Sequence, residues 1–239
     1  MSNDGGVWTK IWPDSVPDSV GTPEAKITAI TGSGITHTYD DFVAFEFLTD
    51  GTMTVTESGY ADILVISGGG GGNAGAWDGS VGRVIFGMHY LDSGSLSVTV
   101  GSGGPANTAG AFGESVLGIL KTGFAGAFDT YDPAGFTSSI TGSSVTYCLG
   151  GKDSPRANRG DSGRSTGVAG GSGVVIVKVK ASNAANVDKS GWTEVTEAMQ
   201  AAAAKKREVE SKAQAKKSAL QAKNEELSGA TQTDIKDTE

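Results

Sequence analysis

The sequence predicts a mainly β protein: a glycine-rich β-sandwich or jelly-roll-like domain followed by a long C-terminal α-helix. Three observations carry this. The chain has 37 glycines in 239 residues, more than twice the usual share of about 7%, and 28 of them fall between residues 68 and 173. Short runs of β-branched and apolar residues recur between turn-forming pairs. From residue 192 to 228 there is no glycine and no proline, and Ala, Lys, Glu and Gln dominate. Glycine weakens helix interiors through backbone entropy, so the middle of the chain is not a helical bundle. The glycines keep no three-residue period, which excludes a collagen triple helix.

Residues 1–23 read as an extended arm, punctuated by Pro13, Pro17 and Pro23. Each proline biases the preceding residue toward extended backbone. Trp8 and Trp12 lie four apart in this arm. They are expected either to bury against the main domain or to anchor in a partner, where Trp is favoured.

Residues 24–182 form the β domain. Lys26–Thr31 alternates about Ile27 and Ile30. Val43–Thr49 is a strand with Val43, Phe45 and Phe47 on one face. Asp50-Gly51 signals a hairpin returning along Thr52–Glu57. After a turn at Ser58-Gly59, Ala61–Ile66 is a continuous apolar run, as expected of a central strand covered on both faces. Further strands are expected at Arg83–Tyr90, Leu96–Val100, Val116–Lys121, Ser144–Leu149 and Gly173–Lys180, joined by glycine-rich turns.

Residues 191–228 form the helix. Val195, Met199, Ala202, Lys206, Val209, Ala213, Lys216, Leu220, Lys223 and Leu227 follow alternating steps of four and three. That is heptad spacing, interrupted by lysine, and it suggests a coiled coil or a docking helix. Residues 229–239 are an acidic tail.

No motif carries chemistry. The run Gly68–Gly72 follows a strand, as a phosphate loop would, but no helix start and no Gly-Lys-Ser/Thr follow it. The two histidines, His37 and His89, are too few for a zinc site. His37 reads as part of a polar turn beside Asp40 and Asp41, and His89 as a sheet-surface residue. Cys148 is the single cysteine and reads as a buried small hydrophobe. No carboxylate pair stands out as general acid and base, so no enzyme, no cofactor and no metal are expected. The formal net charge of −8 disfavours nucleic acid as a partner. The N-terminus has neither the basic nor the apolar region of a secretory signal, and no apolar run approaches the roughly 20 residues of a membrane helix. Arg156, Asn158, Arg159, Asp161 and Arg164 lie in a polar loop of mixed charge. Such a loop is either merely solvated or a recognition loop able to grip sugar hydroxyls or carboxylates.

The ordered set Asp50–Val55, Asp62–Gly72, Val81–Gly87, Gly94–Gly104, Ile140–Tyr147 and Gly173–Lys178 resembles the glycine-rich domain of tailed-bacteriophage virion proteins, found in tail fibres, adhesins and related appendages. The resemblance covers about residues 35–180. It implies a structural or receptor-recognising role in the virion, assembly in the host cytoplasm, a homotrimer, other virion proteins as partners, and a host surface glycan or outer-membrane protein as receptor. It transfers no catalytic residue. A tail fibre or fibre-like appendage is the first expectation, and a capsid decoration or head-fibre protein the alternative. Trp8, Trp12, Val195, Met199, Val209, Leu220 and Leu227 are the expected assembly contacts, and the 156–164 loop the expected receptor-facing one. Glycine thins between residues 105 and 165, which predicts a compact β head with shortened tips in place of packed polyglycine helices.

Overall fold

A computed structural model describes residues 23–75, 77–108, 113–123 and 135–236. Trp8 and Trp12 lie outside the described residues. Among the described residues, the compact unit that ends at Val195 has thirteen strands in three sheets, the last strand running on to Thr196.

In chain order the strands are β1 (Lys26–Ile30), β2 (Gly34–Tyr39), β3 (Phe42–Phe47), β4 (Gly51–Glu57), β5 (Gly59–Ile66), β6 (Val84–Leu91) and β7 (Gly94–Thr99). Then come β8 (Val116–Leu117), β9 (Leu120–Lys121), β10 (Phe136–Ser138), β11 (Val145–Tyr147), β12 (Val174–Lys180) and β13 (Thr193–Thr196). A six-stranded sheet has the order β13-β2-β3-β12-β5-β6. A five-stranded sheet has the order β1-β4-β7-β8-β9, and β10-β11 is a separate hairpin.

The central strands β3, β12 and β5 are covered on both faces. Val43, Phe45, Phe47, Ile63, Val65, Val175 and Val177 pack with Ile27, Met53, Val55 and Val98 of the five-stranded sheet. The opposite face carries Ala44, Leu64, Ile66, Val174 and Ile176, which pack with Ile140, Tyr147 and Cys148. This double cover is why Val174–Val177 and Ile63–Ile66 read as continuous apolar runs. Burying each large side chain there stabilises the fold by about 1.5–3 kcal/mol. The segment after β12 adds Ala184, Val187 and the partly buried Trp192 to the first core. The ring of Trp192 meets Phe47 edge-on at 4.8 Å.

Three expectations change. Asp50-Gly51 does not close a hairpin. β3 belongs to the six-stranded sheet and β4 to the five-stranded one, so the pair carries the chain from one sheet to the other. Two contacts fix the crossing: the Val100 N–H donates to Asp50 Oδ1 at 2.8 Å, and a Cβ on Gly51 would lie 2.2 Å from the Thr31 carbonyl oxygen. Val116–Lys121 is not one strand but the two-residue arms β8 and β9, turned at Gly118, whose φ is +57°. His37 lies in strand β2, opposite Ala44 of β3, and not in a turn.

The glycine run after β5 is bonded to several other segments. The N–H groups of Gly68, Gly69, Gly70 and Gly72 donate to the carbonyls of Gly113, Gly171, Ser80 and Val168. The carbonyls of Gly69, Gly70 and Gly72 accept from Gly104, Gly163 and Asn107. A β-strand hydrogen-bonds to a neighbour on each of two sides. This run is instead ringed by several extended segments of the same chain. Cβ atoms on Gly69 and Gly72 would lie 2.1 Å and 1.8 Å from the carbonyl oxygens of Asp161 and Arg164, so backbone meets backbone with no room for a side chain. A few glycines from each of several distant stretches build this packing.

A helix, α1 (Glu197–Lys236), follows the β unit. Its side chains are described at most positions as far as Gln221, and all but that of Gln200 are exposed.

Candidate functional site

The glycine-packed layer ends in three loops that hydrogen-bond to one another. The Asn107 N–H reaches the Gly72 carbonyl at 3.0 Å, and the Gly75 N–H reaches the Ser165 carbonyl at 2.9 Å. Asn107 Oδ1 accepts from the Ala74 N–H at 3.1 Å, and Asp78 Oδ1 accepts from the Ser165 N–H. Residues 73–75, 77–78, 105–108 and 164–168 thus form one cluster of loops. Trp77 is 65% exposed on it, although an indole usually finds burial. Pro105, Ala106, Asn107, Thr108 and Arg164 are exposed on the same set of loops. An exposed aromatic ring on such loops is suited to stacking on a sugar face or gripping a loop of another protein.

Of the five polar-loop residues Arg156 is exposed, and so is Arg164. Its Nη1 lies 2.7 Å from Asp153 Oδ2, with both side chains more than half exposed, an arrangement worth about 0–1 kcal/mol. The other four are struts. Asp161 is fully buried. Its carboxylate accepts from Arg156 Nε at 2.7 Å, Arg156 Nη2 at 3.0 Å and the N–H groups of Leu149 and Arg156. Burial pushes this carboxyl up, but those four donors outweigh it and hold it below the usual carboxylate range. Asn158 sits at φ +57°, and its Nδ2 donates to the carbonyls of Leu48 and Gly173.

Arg159 reaches into the protein. Its Nη1 donates to Glu46 Oε1 at 2.8 Å, and its guanidinium lies 5.0 Å from the centre of the Tyr147 ring. The other carboxylate oxygen of Glu46 pairs with His37 Nε2 at 2.7 Å. Glu46 is only 2% exposed. Burial pushes its carboxyl up, and the hydrogen bond to His37 and the charge of Arg159 more than offset this, so its pKa falls below the ordinary value. The Tyr147 hydroxyl is pushed well up by burial first and by the Glu46 charge second. A buried ion pair with a stacked arginine fixes the loop to the sheet. Among the described residues, no three His, Cys, Asp or Glu side chains are grouped to hold a metal ion.

The expected assembly residues fall in two places. Val195 is half-buried at β13, while Met199 and Val209 are exposed on α1. The side chains of Leu220 and Leu227 lie outside the described positions. Among the described residues, no helix is long and apolar enough to cross a membrane.

Sequence reasoning missed Trp77. The available signal was a lone large aromatic in the turn-rich stretch Asn73–Gly79. It passed as a turn residue because only the fold brings its loop together with residues 105–108 and 164–168. No protein-family model, no curated protein and no solved structure matches the chain.

Proposed function

We propose that this chain is a structural protein of a tailed-bacteriophage virion, a tail fibre or fibre-like appendage that binds the host surface and does no chemistry. The observation that carries this reading is the glycine-packed layer. A stack of side-chain-free backbone is stiff, because each segment is fixed by hydrogen bonds to several others. It holds three loop tips and Trp77 at the end of a β head. The ordered strand and glycine motifs supply the phage resemblance. In this reading the sandwich is a jelly-roll-like head, and α1 is a long helix that assembles the protein as a homotrimeric coiled coil and joins it to other virion proteins. A host surface glycan or outer-membrane protein is the receptor class. It is met by Trp77, Asn107 and Arg164 rather than by Arg156, Asn158, Arg159 and Asp161, whose polar groups are bonded within the protein.

The test is to label this protein on purified phage particles and image them, and to ask whether the soluble protein competes with phage for adsorption. Label on the tail with competition supports the reading. Absence of the protein from particles overturns it, and label spread over the capsid moves the protein to a decoration role.

A further inference from the structure

The outer strand of the six-stranded sheet, β6, has no strand on its far side among the described residues. Which of its backbone groups face outward follows from the register. The Ser67 N–H donates to the Arg83 carbonyl at 3.0 Å, so 67 and 83 form a hydrogen-bonded pair just beyond the paired ends Ile66 and Val84. Hydrogen-bonded pairs alternate along an antiparallel ladder. Ile85, Gly87, His89 and Leu91 therefore turn their backbone groups toward β5, and Val84, Phe86, Met88 and Tyr90 turn theirs to the open edge.

The side chains of the last three are exposed too, at 40%, 42% and 49%. Phe86 and Tyr90 continue the apolar face through edge contacts with Phe136 and Tyr60. Natural edge strands are blunted with lysine, proline or bulges. The sequence VIFGMHYL has no lysine and no proline, and its pairing with β5 runs without a register shift.

We infer that β6 pairs antiparallel with β6 of a second copy of this chain, joining two heads into a continuous sheet. Only one register satisfies all four outward residues. Val84 lies opposite Tyr90 of the second copy, and Phe86 opposite its Met88. Each such couple exchanges two backbone hydrogen bonds, and apolar side chains meet apolar side chains on one face, a favourable cross-strand arrangement. The two-fold axis passes between the Gly87 residues. They form a non-hydrogen-bonded couple, where Cα atoms approach to about 4.5 Å, and among the described residues nothing lies within 4 Å of the position a Gly87 Cβ would take.

Charge fits the same register. Exposed Arg83 and Asp92 flank β6, and the antiparallel pair sets the Arg83 end of one copy against the Asp92 end of the other, at both ends of the contact. The charged ends favour a second copy over an unrelated apolar partner. This inference is independent of the attachment role.

Two variants of the full chain that each add one cysteine test it, Phe86→Cys and Met88→Cys. The native Cys148 is buried. In the inferred register, position 86 of one copy faces position 88 of the other at a Cα spacing of about 5.5 Å, within disulfide reach. Mild oxidation of the mixed variants should give a disulfide-linked pair, and oxidation of either alone should not. No link in the mixture, or an equal link in one variant alone, overturns the inference. Met88→Lys, at an exposed site, should halve the sedimenting mass of the full chain without changing its circular dichroism. An unchanged mass would also overturn it. Neither readout depends on whether the protein sits on a virion, so this inference and the proposed function fail separately.

Discussion

Arg159 Nη1 lies 2.8 Å from Oε1 of Glu46, a residue 113 positions earlier in the chain. The pair ties the loop beneath the glycine layer to strand β3. Removing one partner of a buried ion pair strands the other charge, which costs about 3–5 kcal/mol. Arg159→Met is therefore expected to lower unfolding stability by an amount in that range. Glu46→Gln with Arg159→Met together should cost less than the two single changes summed. Denaturant unfolding of the four proteins checks both statements. Strict additivity would show that the two groups do not interact.

Acid should weaken the fold through two carboxylates. Glu46 and Asp161 both have folded pKa values below their ordinary ones. A depressed folded pKa contributes stability that is present above the unfolded value, about 4, and is lost as pH falls through the lower folded value. Stability should thus hold from neutral pH down to about 4 and drop below it. Glu46→Gln should flatten that drop. Thermal unfolding between neutral pH and strong acid measures it, and an unchanged profile in the variant would remove Glu46 from the account.

Glycine-to-alanine changes should divide sharply by place. At Gly69 a Cβ would sit 2.1 Å from a backbone carbonyl oxygen, and no flexible side chain can yield. Gly69→Ala is expected to cost more than about 4 kcal/mol or to prevent folding, as a change with a named steric cause in the core can. Gly75 has φ +76° with open space around it. Asparagine tolerates that backbone, so Gly75→Asn should cost about 1 kcal/mol or less. Soluble yield and melting temperature separate the two outcomes.

Trp77→Ala should leave the melting temperature nearly unchanged, because the side chain is exposed. It should reduce competition for phage adsorption by about tenfold or more, the equivalent of a binding hot spot worth at least 1.4 kcal/mol. Full competition by the variant would take Trp77 out of the receptor surface.

The helix should carry the three-fold assembly. Met199→Glu with Val209→Glu places charge at two exposed heptad positions and should reduce the sedimenting mass to a third. An unchanged mass would assign α1 to docking on another protein.

Much of the β head was legible because side-chain period follows burial. Val43, Phe45 and Phe47 alternate, and their common face was readable from three letters. Ile63–Ile66 showed double cover for the same reason. The sheet to which a strand belongs was not legible. Asp50-Gly51 has the composition of a hairpin, yet its role as a crossing depends on Thr31 and Val100. His37 looked like a turn residue beside Asp40, while its partner is Glu46 on the neighbouring strand. The polar loop looked outward because it is charged. Its charges satisfy one another or Glu46, and only the fold brings those groups within 3 Å.

The glycines divide the two kinds of information most clearly. Their number and order marked where the backbone had to come close to something, because only a residue without Cβ permits a carbonyl at 2 Å from that position. The sequence alone also determined the strand periodicity, the acidic balance and the glycine-free C-terminal stretch, since these follow from local composition. What each glycine approaches was decided by tertiary structure. Gly69 meets Gly104, Asp161 and Gly171, segments up to about a hundred residues apart, and hydrogen bonds between such segments leave no periodic trace in any one of them.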